Sequence, residues 1–176
     1  KIRVGILFGG KSTEHEVSLW SAKNVIANLD REKFDPVLIA IDKEGQWFLP
    51  EKEHFFLESK NAAGTMVQSE AEQSAALVPG SRGELVSRDM KTSAPLDVIF
   101  PVLHGGAGED GSVQGLLKLS GLPFVGAGVL GSAVGMDKDV MKRLLRDAGI
   151  AIAQFIVIRE KSIPRYDQVV KTLGVP

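Results

Sequence analysis

The chain of 176 residues contains no cysteine, which removes disulfides, thiolate nucleophiles and cysteine metal sites. Histidine is scarce as well: the three, at positions 15, 54 and 104, are too scattered to suggest a histidine-rich metal centre. Charge of neither sign prevails. The formal net charge is −1, so nothing draws the molecule as a whole toward nucleic acid or an anionic membrane, and any binding must come from a local site. Long apolar runs are missing too. Ile2–Phe8 is too short for a signal peptide and no stretch would span a bilayer, which makes the cytoplasm the expected location. No internal repeat or low-complexity tract is visible. What remains is the composition of a soluble globular protein, 44% hydrophobic and 24% charged, long enough for one domain with a substantial core and the start of a second.

The apolar patterning reads as α/β, with a doubly wound, mostly parallel sheet. Ile2–Phe8 is nearly continuously apolar, the mark of a strand buried on both faces. Gly9-Gly10 ends it, and Thr13 with Glu16 has capping-box spacing ahead of a helix striped by Leu19, Ala22, Val25, Ile26 and Leu29. Asp35–Ile41 completes a strand–helix–strand unit. A turn at Lys43-Glu44-Gly45 leads to a short edge strand over Gln46–Leu49. Pro50–Pro95 carries a weak signal, read as an insertion of short helix and hairpin pieces. Pattern returns with a strand over Leu96–Leu103, a helix over Ser112–Leu119 closed by Gly121, and a short strand over Pro123–Val125. Beyond it, Ala127–Gly135 suggests a helix and a hinge. Asp137 is placed to cap a helix reaching about Ala148, Gln154–Ile158 reads as a strand, and a last helix starts near Ser162 and fades at Leu173-Gly174.

The densest chemistry lies where the strand at Leu96–Leu103 meets the next helix. There His104-Gly105-Gly106-Ala107-Gly108-Glu109-Asp110-Gly111 places one histidine and two carboxylates in a glycine-rich turn. In α/β proteins that edge of the sheet is where ligands bind. His104 opens the turn and is a candidate ligand contact, whereas Asp110 reads as the N-cap of the helix behind it and Glu109 as a partner that ties the turn down. Glu14, in the first turn after Gly9-Gly10, is a candidate anchor for a ligand ammonium at the same edge. Glu16 is assigned to capping, and His15 to solvent. Gly5 through Ser12 matches the phosphate-loop pattern letter for letter but is rejected, because Ile6-Leu7-Phe8 is the strand itself. Lys138 sits against the helix dipole in the first turn of a cation-rich helix, a hint of an anionic partner such as phosphate.

Three segments together, Phe8–Ser18, His104–Gly115 and Met136-Asp137-Lys138, resemble the D-alanine–D-alanine ligases of the ATP-grasp superfamily. The middle one fits the signature H-G-x-x-G-E-[DN]-G throughout. Gly121–Gly126 is similar as well, so the likeness covers nearly the whole chain and is weakest over Pro50–Pro95.

The resemblance implies a Rossmann-like amino-terminal substrate-binding domain over 1–130 and the beginning of a central ATP-grasp domain over 131–176. It implies ATP-dependent, ADP-forming ligation of two D-alanines through an acyl phosphate, for peptidoglycan. Glu14 then matches the glutamate that holds the first D-alanine's ammonium, and His104 the histidine at that substrate site. Val17, Ser18 and Gly105 join them as substrate contacts, and Lys138 is the first of two nucleotide-phosphate lysines. Mg²⁺ is implied with its ligands outside this chain, as are a homodimer and the absence of nucleic-acid or membrane partners. Residues 1–176 alone are expected to be inactive. Two other readings stay open at this point: a D-alanine–D-lactate or D-serine ligase, and a non-catalytic small-ligand module.

Overall fold

The computed structural model describes residues 1–50, 73–81, 83–87, 95–159 and 163–174. The chain forms two compact units, Lys1–Ala133 and Val134–Pro176.

Six strands build the sheet of the first unit: β1 (Ile2–Gly9), β2 (Phe34–Ile41), β3 (Trp47–Leu49), β4 (Gln73–Leu77), β5 (Leu85–Ser87) and β6 (Val98–Pro101). Their order is β5-β4-β3-β2-β1-β6. β1 pairs in parallel with β2, from Ile2 opposite Phe34 to Gly9 opposite Ile41, and with β6, from Val4 opposite Val98 to Leu7 opposite Pro101. From β2 outward every pairing is antiparallel. The sheet is therefore mixed; the parallel expectation holds for the half made by β2, β1 and β6. β3 is not an edge strand either, since it lies between β2 and β4 with Phe48 buried.

Parity explains the continuous apolar runs. Val4, Ile6 and Phe8 of β1, with Leu38 and Ala40 of β2, face Leu19, Ala22 and Ile26 of α1 (His15–Asn28). The intervening Leu7, Ile39 and Ile41, with Ile99, face Val113 and Leu117 of α2 (Ser112–Leu119) on the other side. With a helix on each face, no position along β1 after Arg3 can afford to be polar. Full burial of each such large side chain contributes about 1.5–3 kcal/mol before chain entropy offsets most of the sum.

The ends of the elements show where local and tertiary forces compete. The capping box expected of Thr13 and Glu16 does not form: α1 begins at His15 without a side-chain cap. Glu16 instead pairs with Lys43 at 2.6 Å, a charged partner from the turn after β2 that outcompetes a neutral amide. Gly121 closes α2 as expected, with its N–H on Lys118 O, the Leu122 N–H on Leu117 O, and a φ of +70°. Pro123–Val125 contributes only a single parallel bridge, Phe124 opposite Ile99.

A third helix, α3, spans Val129–Met136. In the second unit, Asp137 caps α4 (Lys138–Asp147) by accepting the N–H groups of Asp139 and Val140, both at 3.0 Å. Gln154–Ile158, expected as a strand, joins no ladder among the described residues. Apolar pattern is necessary for a strand, but only a pairing partner makes one. The last helix, α5, covers Tyr166–Leu173, later than Ser162, which lies outside the described residues, as do the pieces expected around Phe55–Leu57.

Candidate functional site

Two loops leave the carboxyl edge of the parallel half-sheet, one after β1 and one after β6. The first turns at Gly9 and Gly10, with φ of +90° and +99°. A Cβ on Gly9 would lie 2.2 Å from the Ile41 carbonyl oxygen, so only glycine fits where the loop crosses the end of β2. Gly10 N–H donates to that oxygen at 2.8 Å. Ser18, fully buried on α1, accepts the Gly9 N–H at 2.8 Å and donates to the Val102 carbonyl, joining the ends of β1 and β6 through one hydroxyl. His15 is only 5% exposed, not solvated as expected. Its Nδ1 lies 2.8 Å from Gly10 O, and because a carbonyl only accepts, that nitrogen carries a hydrogen.

The second loop is tied by its own carboxylates. Glu109 accepts the Gly105 N–H at 2.7 Å, and Asp110 accepts the N–H groups of Ala107 and Ser112, both at 2.9 Å. The Ser112 side chain above all, then the amides of Ser112 and Ala107, holds the Asp110 carboxyl below its ordinary range. This net holds Ala107 at a φ of +64°, the one non-glycine residue with positive φ among those described. Behind the loop, buried Gln114 donates to Gly108 O at 2.8 Å.

The loops meet at Gly105. A Cβ there would lie 2.5 Å from Ser12 Oγ and 3.0 Å from Glu14 Oε2. The exposed Glu14 carboxylate therefore packs over Gly105, beside His104, across ninety positions of sequence (104 − 14 = 90). His104 is half-buried, its Nε2 3.1 Å from Ser21 Oγ on α1.

The other expected residues fall into different places. Gly105 acts through its missing side chain, since its N–H is already given to Glu109. Ser18 lies beneath the loops with its hydroxyl engaged at both ends, which removes it from the surface a substrate would touch. Val17 is 51% exposed on α1. Lys138 belongs to the second unit, exposed, with Nζ donating to Gly135 O at 3.1 Å.

A cavity of about 140 Å³ opens between the loops, lined by residues following all three parallel strands. Gly9–Ser12, Leu103, His104 and Gly106–Gly108 form its walls, and Ile41, Trp47 and Val113 its apolar floor. Glu14 stands just outside this lining. Sequence reading missed Lys11, Ser12, Ser21 and Trp47. Ser21 was findable, because it lies two helical turns after Glu14 on the same face of α1. Nothing local marks Trp47. Among the described residues no group of three or more histidine and carboxylate side chains is placed to hold a metal, and no helix is long and apolar enough to cross a membrane.

Comparison with known proteins identifies the family of the chain. Residues 3–127 match the family described as D-ala D-ala ligase N-terminus. D-alanine–D-alanine ligase A of Chromobacterium violaceum is 48% identical across 100% of this chain and 49% of its own length. The chain thus spans about half the length of the curated relatives it matches. Among solved structures, the D-alanine-D-alanine ligase of Coxiella burnetii superposes with a TM-score of 0.85 at 35% identity, covering 99% of this chain and 50% of that one. The Bacillus anthracis D-alanine–D-alanine ligase, solved in complex with ATP, gives 0.61 at 29% identity over 97% of this chain and 44% of its own. By its sequence and by the sheet that brings its two loops together, the chain belongs to the D-alanine–D-alanine ligase family, whose amino-terminal region it matches.

Proposed function

We propose that this chain supplies the first-D-alanine site of an ATP-dependent ligase that forms D-alanyl-D-alanine for peptidoglycan synthesis. In this reading the first D-alanine's carboxylate takes the terminal phosphoryl group of ATP, giving ADP and an acyl phosphate. The amine of the second D-alanine then attacks the carbonyl carbon and expels phosphate. No protein nucleophile is required; positioning and charge do the work.

The observation that carries the reading is the Glu14 carboxylate packed over Gly105, the residue that follows His104, which lines the cavity. An ammonium pairs with the Glu14 carboxylate, and a carboxylate oxygen is within the chemistry of the His104 imidazole. The cavity suits the size: about 140 Å³ is close to the ~150 Å³ of an apolar cavity known to admit benzene, which like alanine has six heavy atoms. Val17, exposed on α1, is included as a substrate contact, while Ser18 and Gly105 serve the site by holding the loops and by letting Glu14 approach.

Residues 1–130 make up the substrate-binding domain in this reading, and 131–176 begin the ATP-holding one. Lys138 fits a nucleotide phosphate: its ammonium is exposed, held by one carbonyl among the described residues, and in the first turn of α4, where the dipole favours an anion over a cation. Mg²⁺, whose ligands lie outside this chain, would neutralise phosphate charge when bound. The reading includes a homodimer in the cytoplasm. Its test is Glu14→Gln in a polypeptide of the relatives' full length. We expect KM for the first D-alanine to rise about 10–100-fold, the loss of one charged hydrogen bond. Unchanged kinetics for that substrate would overturn the assignment.

A further inference from the structure

We propose that Ser21 is a positioning residue for His104, holding the imidazole in its Nδ1–H form so that a ring N–H faces a substrate oxygen. The proposal rests on the reading of His104 as a first-D-alanine contact. Ser21 Oγ lies 3.1 Å from His104 Nε2, a half-buried contact between α1 and the residue that opens the second loop.

A serine hydroxyl brings one hydrogen to donate. Within a helix its usual outlet is the carbonyl one turn earlier, yet Ser21 has no partner other than His104 among the described residues. Two arrangements share this geometry. With the hydrogen on Nε2, the ring donates to Ser21 and the serine's own hydrogen finds no acceptor among the described residues. With Nε2 bare, the hydroxyl donates to it and both groups are satisfied. The second arrangement puts the ring hydrogen on Nδ1, which has no partner among the described residues.

His15 shows the contrast. It too carries hydrogen on Nδ1, but gives it to Gly10 O and is closed to any ligand. Ser21 also stands seven residues, about two turns, after Glu14. One face of α1 thus presents a carboxylate suited to an amino acid's ammonium and a hydroxyl that turns an imidazole into a donor for its carboxylate. A bare Nδ1 in the same place would meet that carboxylate lone pair to lone pair. Which ring nitrogen is bare is set by the hydrogen bond the other makes, and here that bond comes from a helix, not from the loop.

Long-range ¹H–¹⁵N correlation of the imidazole nitrogens in the 176-residue chain, recorded where imidazole is neutral, tests this directly, with His104→Asn identifying the signals. The expected wild-type spectrum shows a protonated Nδ1 and a bare Nε2 at His104. Ser21→Ala should return the ring toward the Nε2–H form that free imidazoles prefer, and Ser21→Thr should keep the wild-type signature. A wild-type ring protonated on Nε2, or a spectrum that Ser21→Ala leaves unchanged, overturns the proposal. In a polypeptide of the relatives' full length, Ser21→Ala should raise KM for the first D-alanine about tenfold, with Ser21→Thr within about twofold of wild type. If Glu14→Gln weakens the first D-alanine while Ser21→Ala does not, the positioning role fails and the site reading stands. If neither matters, the site reading itself fails.

Discussion

The two loops at the carboxyl edge of the sheet reach the same place by opposite means. The loop after β1 is fixed from below by groups of the fold: the Ser18 hydroxyl, the His15 Nδ1–H and the Ile41 carbonyl. The loop after β6 is fixed from within, by Glu109 and Asp110 accepting its own amides near the surface. The first is therefore part of the core and the second an attachment to it. Their ties should respond differently to mutation and to acid.

Three substitutions sharpen that contrast. The largest effect belongs to Gly9→Ala, whose new Cβ would lie 2.2 Å from the Ile41 carbonyl oxygen at a φ of +90°. Neither backbone can yield without breaking the β1–β2 pairing, so urea denaturation should show a loss of at least about 4 kcal/mol. Next comes Ser18→Ala, which orphans a buried amide and a buried carbonyl at once, expected to cost about 2–4 kcal/mol in the same assay. A loss under about 0.5 kcal/mol would show that this loop is not held from beneath.

Asp110→Ala is the smallest, about 1–2 kcal/mol at neutral pH, for the loss of an acceptor for two loop amides near the surface. Its signature is in the pH dependence. Folding holds the Asp110 carboxyl below its unfolded value of about 3.9, so its contribution is complete above that pH and fades as pH falls through the folded value. Wild type and Asp110→Ala should consequently draw together in stability as pH falls below about 3.9. Parallel curves below that pH would break the comparison, because the second loop would then owe nothing to its charged ties.

How much of this was legible follows the same division. The apolar runs of β1 and β2 and the Leu19, Ala22, Ile26 stripe were readable, because burial on both faces leaves a direct mark on residue type. Asp137 and Gly121 were readable because capping is a local transaction between neighbours. Glu109 was read correctly as a tie for the same reason, whereas Asp110, expected as the N-cap, stands one residue before it: Gly111 holds that position without a side-chain cap, and Asp110 ties the loop instead. Burial of His15, the double bond of Ser18 and the recruitment of Glu16 by Lys43 were not, since each depends on groups brought from another strand or turn. The strand expected over Gln154–Ile158 joins no ladder among the described residues, its pattern being silent about whether a neighbour exists. Glu14 and His104 were picked out one by one, but their meeting at Gly105 is a property of strand order, which no window of sequence contains.

That strand order has an evolutionary corollary. β1 and β6 are immediate neighbours in register, so the gap between the two loops is set by a single ladder from Val4–Val98 to Leu7–Pro101. The strands that intervene in sequence, β3, β4 and β5, lie beyond β2 and not between them, an excursion away from the site. Residues can be added or deleted along that excursion and the spacing of carboxylate and imidazole will be inherited unchanged.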